Sequence, residues 1–188
     1  MRAAKGVLRN LRGTSRLGVM YGANDALQGY VDAEWAADTD GRQSTTGFVF
    51  TLNGGLFLWA SKRQLTVATS TAKAENVAAA KATKKALWLR KLLFELDAEV
   101  GAVPMGEENQ SCLLLVNNPD ATGRTEHVDV FYHMVRDYLA REDVAFYFLP
   151  RAEMPADGLT RPLPSPALTA FQAGVGFGED LGAVERGT

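Results

Sequence analysis

The stretch from Thr71 to Leu96, TAKAENVAAAKATKKALWLRKLLFEL, constrains the fold of this chain more than any other. Ser70 or Thr71 can cap a helix there, and Ala, Lys and Leu, all good helix formers, fill its body. From Glu75, steps of three and four pick out Ala78, Ala79, Ala82, Ala86, Leu89, Leu93 and Leu96. That face is apolar apart from Glu75 itself. Its small alanines let the helix lie close against a sheet, so the rest of the chain has to supply one. A carboxylate on a buried face is costly unless a cation or hydrogen bonds receive it.

The strands are legible on either side of this helix. Leu27 to Trp35 alternates roughly, and TTGFVFTL (45–52) and LFLWAS (56–61) flank Asn53-Gly54-Gly55, a strong hairpin signal. SCLLLV (111–116) reads as a short apolar strand, 126–141 as a helix, VAFYFLP (144–150) as a strand, and Pro155 to Thr160 as the start of a short helix. At the front, residues 2–13 form a basic amphipathic pattern, with Ala3, Val7, Leu8 and Leu11 at helical spacing and Gly13 as C-cap. The order predicts an α/β domain, a mixed sheet flanked by helices, over residues 27–162. Residues 1–26 read as a linker helix and turn, and 163–188 as a C-terminal helix and frayed tail.

With 188 residues, 46% of them hydrophobic, the chain can bury one real core. No apolar run reaches the ~18 residues of a bilayer span, so no membrane partner is expected. The lone Cys112 excludes an internal disulfide. Residues 1–93 hold 14 Lys/Arg against 6 Asp/Glu, whereas 94–188 hold 6 against 16. The basic half can attract phosphate without regard to sequence, although solvated helix faces account for such runs equally well.

Three acids do not fit as surface. Asp32 lies inside the first strand on one face with Tyr30 and Glu34, Glu75 lies on the apolar helix face, and Asp157 opens the late helix, where the dipole favours negative charge. Coming from distant elements, they can converge on one sheet edge. Two Mg²⁺ ions held ~3.5–4 Å apart by such oxygens perform phosphoryl transfer. Lone acids at strand ends and helix starts are more often simply solvated.

The motifs GYVDAEWAADTDGRQSTTGFVF, LFLWASKRQLTVATSTAKAENVAA, RTEHVDVFYHMVRDYL and FLPRAEMPADGLTRPLP resemble, in content and order, the ribonuclease H domain of copia-type retrotransposon polyproteins. The family pattern reads approximately GYSDADWAGD, RKSTSGYVF, ISWSSKKQ, STAEAEY, RTKHIDIRYHFIRE and ADIFTKPLP. AAKGVLRNLRGT is similar to the family's segment joining reverse transcriptase to this domain. The resemblance spans roughly residues 3–175. It implies a ribonuclease H-like fold with a five-stranded mixed sheet flanked by helices, hydrolysis of the RNA strand of an RNA–DNA hybrid, and two Mg²⁺ ions, with Mn²⁺ as substitute. Asp32, Glu75 and Asp157 take the places of catalytic, metal-holding acids. The partners implied are the hybrid and a reverse transcriptase of the same polyprotein. The implied location is intracellular, in cytoplasm or a virus-like particle.

A further family aspartate ends the fourth strand, in a pattern like YCDNQSAIALAKNP. With LLLVNNPDA taken as that strand, either NNP matches KNP across a deletion of about ten residues, or Asn117 stands at the aspartate. Both alignments lose the acid, and the first is favoured because NNPDATGRTEHVDV then matches without a gap. The expectation is that the helix after the fourth strand is deleted and activity is impaired, with Asp120 or Asn117 as substitute ligand. A silent, nucleic-acid-binding remnant is the alternative. Lys73, beside Glu75, is expected to compete with metal, and Asn76 stands where the family has an aromatic. Lys62, Arg63, Arg124 and His127 are expected phosphate contacts. His127 and His133 have the wrong spacing for zinc. Trp35, Trp59 and Trp88 are expected to pack in the core or hairpin.

Overall fold

The computed structural model describes residues 2–22, 27–98, 100–117 and 130–179. Helix α1 (Arg2–Gly13) leads into a short strand β1 (Leu17–Val19). Then come β2 (Gln28–Glu34), β3 (Thr45–Leu52), β4 (Gly55–Arg63) and the long helix α2 (Thr71–Glu95). The chain continues through β5 (Val103–Glu107), α3 (Gln110–Asn117), α4 (Val130–Ala140), β6 (Val144–Phe148), α5 (Asp157–Thr160), α6 (Ser165–Gly174) and β7 (Phe177–Glu179). Five strands form one mixed sheet in the order β4-β3-β2-β5-β6, antiparallel across β4-β3-β2 and parallel across β2-β5-β6. This is the expected five-stranded mixed sheet flanked by helices.

The hairpin forms where the NGG turn was read. Asn53 and Gly54 both take positive φ (51° and 75°), the two-residue turn that matches strand twist. Helix α2 begins at Ser70, whose hydroxyl accepts the Lys73 amide at 3.2 Å. Its stripe Ala74, Ala78, Ala82, Ala86 and Leu89 is fully buried against Val31, Phe48, Phe50, Val103 and Met105 of the sheet. Leu96, which extends the pattern on paper, caps the helix and is 66% exposed. The opposite sheet face receives α5: a Cβ on Gly47 would lie 2.7 Å from Thr160 Cγ2 and 2.9 Å from the Ala156 carbonyl oxygen. Bare backbone at Gly47 therefore lets α5 settle directly onto β3.

Two expectations are overturned together. SCLLLV is not a strand but most of helix α3, and the fourth strand of the domain is VPMGE, Val103–Glu107. Helix geometry wins because Asn109 caps it, its side-chain Oδ1 accepting the Cys112 amide at 2.9 Å. Cys112, Leu113 and Val116 then face inward while Leu114 is 67% exposed. Pro104 and Gly106 disguised the true strand, since both are poor strand formers. Pro104 is tolerated because only Met105 to Glu107 pair with β2. The helix after the fourth strand is consequently present, not deleted. Cys112 is free and buried, a small hydrophobe among the core side chains.

The tryptophans lie outside the core, with Trp59 on hairpin strand β4 opposite Val49. Trp35, Trp59 and Trp88 are 43%, 60% and 50% exposed, so none is a core residue. Trp35 is anchored by its indole N–H to the Ala68 carbonyl at 2.9 Å. Outside the main sheet, β1 and β7 pair antiparallel, and Leu56 at the start of β4 donates to the Val175 carbonyl at 2.9 Å. No helix among the described residues is long and apolar enough to cross a membrane.

Candidate metal centre

Strands β2 and β5 run parallel side by side, with Val31 opposite Glu107. One residue further along, the same register sets Asp32 beside Glu108. Alternation sends Glu107 toward α2 and Glu108 toward α5. From one side α2 brings Glu75 in its second turn, and from the other α5 brings Asp157 at its start. Buried Gln64 fixes the α2 end, donating to Thr46 Oγ1 at 3.0 Å and to the Ala74 carbonyl at 2.9 Å. Thr160 fixes the α5 end, its hydroxyl donating to Asp32 Oδ2.

Asp32, Glu75 and Glu108 each present a carboxylate oxygen, and these oxygens lie within 4.8 Å of one another. Glu75 Oε2, Glu107 Oε2 and Asp157 Oδ1 are buried without a hydrogen-bond donor. Such oxygens are expensive in a low-dielectric interior unless a cation is to meet them. Hard oxygen donors of this kind suit Mg²⁺ or Mn²⁺. The residues therefore fit the divalent ions that the resemblance implies.

The electrostatics agree. Burial first, then the neighbouring Glu107, Asp32 and Glu108, pushes the Glu75 carboxyl up to about 11, against the Ala33 backbone N–H that favours its charged form. Burial also pushes Glu107 up to about 8, with its Oε1 accepting the Asn109 amide at 2.9 Å. Asp32 and Glu108 are raised too, each chiefly by burial and then by neighbouring acids. Burial and crowding thus favour the protonated form of these carboxyls, and a cation among them favours the charged form. Asp157 is held differently: Arg161 is hydrogen-bonded to its Oδ2, and Arg151 Nε lies 3.8 Å from the same oxygen and 4.0 Å from Glu108 Oε2.

Of the sequence-predicted acids, the structure brings Asp32 and Glu75 together and places Asp157 beside them. Glu108 was missed, and the loss of the family's third aspartate is corrected by it. The signal was present in the sequence: EENQSCLLLVNNP, residues 107–119, aligns with the pattern CDNQSAIALAKNP without a gap, and Glu108 falls at the aspartate. The apolar LLLV run concealed it by inviting a strand assignment. Asn117 is no substitute ligand. It is exposed at the far end of α3, seven residues and so about 10 Å along the axis from Gln110. Asp120, Arg124 and His127 lie outside the described residues. Lys73 is exposed on the solvent side of α2 whereas Glu75 is buried, and no ion pair joins the two. Lys62 and Arg63 are exposed at the end of β4, in register with Thr46 and Thr45 and thus two strands, about 10 Å, from the Asp32 end of β2. Arg63 pairs with Asp38 at 3.0 Å.

No family model matches the chain. It is 39% identical over 163 residues to the retrovirus-related Pol polyprotein from transposon TNT 1-94 of Nicotiana tabacum, covering 86% of this chain and 12% of that protein. It is 32% identical over 177 residues to the corresponding polyprotein from transposon RE2 of Arabidopsis thaliana, covering 93% and 12%. The chain thus spans about an eighth of the length of these relatives. Among solved structures it superposes on the N-terminal RNase H domain of a Mycobacterium tuberculosis protein solved as a fusion with maltose-binding protein. That match has a TM-score of 0.51 at 11% identity and covers 77% of this chain and 99% of the other. At such identity the likeness is one of fold.

Proposed function

Because this chain is a ribonuclease H-fold segment of the retrotransposon Pol polyprotein family, we propose that it hydrolyses the RNA strand of RNA–DNA hybrids with divalent metal ions. The observation that carries the proposal is the convergence of Asp32, Glu75 and Glu108 within 4.8 Å, with a buried Glu75 oxygen left unpartnered. The acids expected to hold metal are these three and Asp157. Mg²⁺ or Mn²⁺ bound there would supply a nucleophilic water and a Lewis acid for the leaving oxygen. The protein's share is geometric: Thr160 orients Asp32, the Asn109 amide restrains Glu107, and Gln64 holds the first turns of α2 to the sheet.

The reason for expecting impairment was a missing acid, and Glu108 occupies that place. The proposal is therefore of a competent site, with a glutamate one methylene longer than the family's aspartate. Exposed Lys62, at the same end of the sheet, is a candidate phosphate contact for the hybrid. A reverse transcriptase segment of the same polyprotein is the proposed covalent neighbour, acting inside the cell, in cytoplasm or a virus-like particle.

Incubation of the purified chain with a labelled RNA–DNA hybrid and Mg²⁺ or Mn²⁺ tests the reading. Cleavage of the RNA strand that is absent with single-stranded RNA and lost in Asp32→Asn supports it. A folded chain that binds the hybrid without cutting it would establish a silent binding module instead.

A further inference from the structure

We propose that the solvent face of α2 is a binding track for single-stranded DNA, with Trp88 as a base-stacking platform and lysines on either side of it for the phosphates. The choice of occupant rests on the hydrolysis proposed above, because removing the RNA strand of a hybrid leaves its DNA unpaired. Lys81, Lys84 and Lys85 precede Trp88 by seven, four and three residues, and Lys91 follows it by three. Such offsets bring all five onto one side of a helix, away from the alanine stripe that packs on the sheet. From Thr71 to Phe94 the sole acid of α2 is Glu75, which is buried. Glu95, at the end of the helix, stands 3.9 Å from Lys91, and an ion pair this exposed binds weakly. The face is therefore a run of lysines with an aromatic in its middle.

Trp88 is half exposed, and the Lys85 ammonium lies 5.4 Å from the centroid of its ring. Cation and aromatic face already adjoin, the combination with which proteins hold unpaired strands. A base paired inside a duplex has its faces covered by its neighbours, so an indole among lysines suits an unpaired strand better than the outer backbone of a hybrid. At the other end of the track, Lys62 of β4 comes near Lys81. Burial first, then the charge of Lys62, pushes the Lys81 ammonium down. Neither lysine joins an ion pair among the described residues. Two like charges thus lie close with no acid between them, a repulsion that a phosphate relieves. Glu75 precedes Lys81 by six residues, about 9 Å along the axis, and Lys91 lies about 15 Å beyond Lys81. The track consequently starts beside the acid cluster and leads away from it, the course that a DNA strand stripped of its RNA can follow.

Fluorescence anisotropy with the full chain in Mg²⁺ is the test, using an RNA–DNA hybrid whose RNA is 2′-O-methylated and so resists cleavage. The blunt hybrid is compared with the same hybrid carrying a single-stranded DNA tail of about ten nucleotides at either end. One of the two tails is expected to tighten wild-type binding about tenfold, a gain that Trp88→Ala abolishes and Trp88→Phe largely keeps. Lys85→Gln combined with Lys91→Gln is expected to lower the log–log salt slope for single-stranded DNA by about 1.4. These side chains are exposed, so the variants are expected to melt like wild type. Equal affinity for blunt and tailed hybrids overturns the track, as does a tail gain that survives Trp88→Ala. Self-association that Trp88→Ala abolishes, with no gain from either tail, would assign the face to a protein contact instead. Cleavage of an unmodified hybrid is measured separately. A chain that gains from the tail yet cuts no hybrid keeps the track and loses the hydrolase reading, and one that cuts without a tail gain loses the track alone.

Discussion

At the residue level, the site is a set of carboxyls that the fold crowds together. Glu75 is 4% exposed and Glu107 fully buried, and burial first, then neighbouring acids, pushes their carboxyls up to about 11 and about 8. Glu75→Gln keeps the shape and removes the cost of holding an acid buried and protonated at that position. It is expected to raise the stability of the metal-free chain by about 1 kcal/mol or more at pH 8, and to abolish ion binding. Chemical denaturation in EDTA checks the first effect and calorimetry the second. Asp32, Glu75 and Asp157 were legible because each broke a pattern: an acid inside a strand, on an apolar helix stripe, or at a helix start. Glu108 broke none. Preceded by Glu107 and followed by Asn109, it looks like an ordinary polar turn until β5 is recognised, and only its register with Asp32 gives it a role.

At the scale of elements, the sheet and its long helix were readable because their periodicities are clean. The alanine stripe of α2, the NGG turn and the alternation in β2 all survive intact. The region from Val103 to Asn117 was not, because propensity and structure conflict there. Pro104 and Gly106 lie in a central strand, while a leucine-rich run forms a helix only because Asn109 caps it. Two substitutions probe these contacts. Ala82→Leu forces α2 off the sheet and is expected to cost ~1–3 kcal/mol by overpacking, read as a lower denaturation midpoint. Gly47→Val meets Thr160 and the Ala156 carbonyl and is expected to cost a similar amount. It should also lower ion affinity, because Thr160 no longer orients Asp32; unchanged affinity would show that α5 does not position the site.

At the scale of the whole molecule, the acids make stability depend on pH in a defined direction. Glu75 and Glu107 titrate near 4.5 when unfolded but at about 11 and about 8 in the fold, and Asp32 and Glu108 are raised as well. Between those values the folded chain binds more protons than the unfolded one, so stability falls as pH rises. Their contribution is complete below about pH 4.5 and is lost progressively as pH climbs, through about 8 for Glu107 and about 11 for Glu75. The melting temperature in EDTA is expected to drop between pH 5 and pH 8, and Mg²⁺ or Mn²⁺ at pH 8 to restore it by binding the folded state alone. A metal-free melting temperature that rises over this interval would contradict the crowding described here.

On the proposed function, Glu108 completes the metal centre in place of the family's aspartate. Cleavage rates of one RNA–DNA hybrid by wild type, Glu108→Gln and Glu108→Asp, at saturating Mg²⁺, test it most directly. Cleavage by wild type is expected, with a loss of about 100-fold or more in Glu108→Gln and activity at or above wild type in Glu108→Asp. Wild-type rates in a folded Glu108→Gln, or a folded wild type that cuts no hybrid, would contradict it.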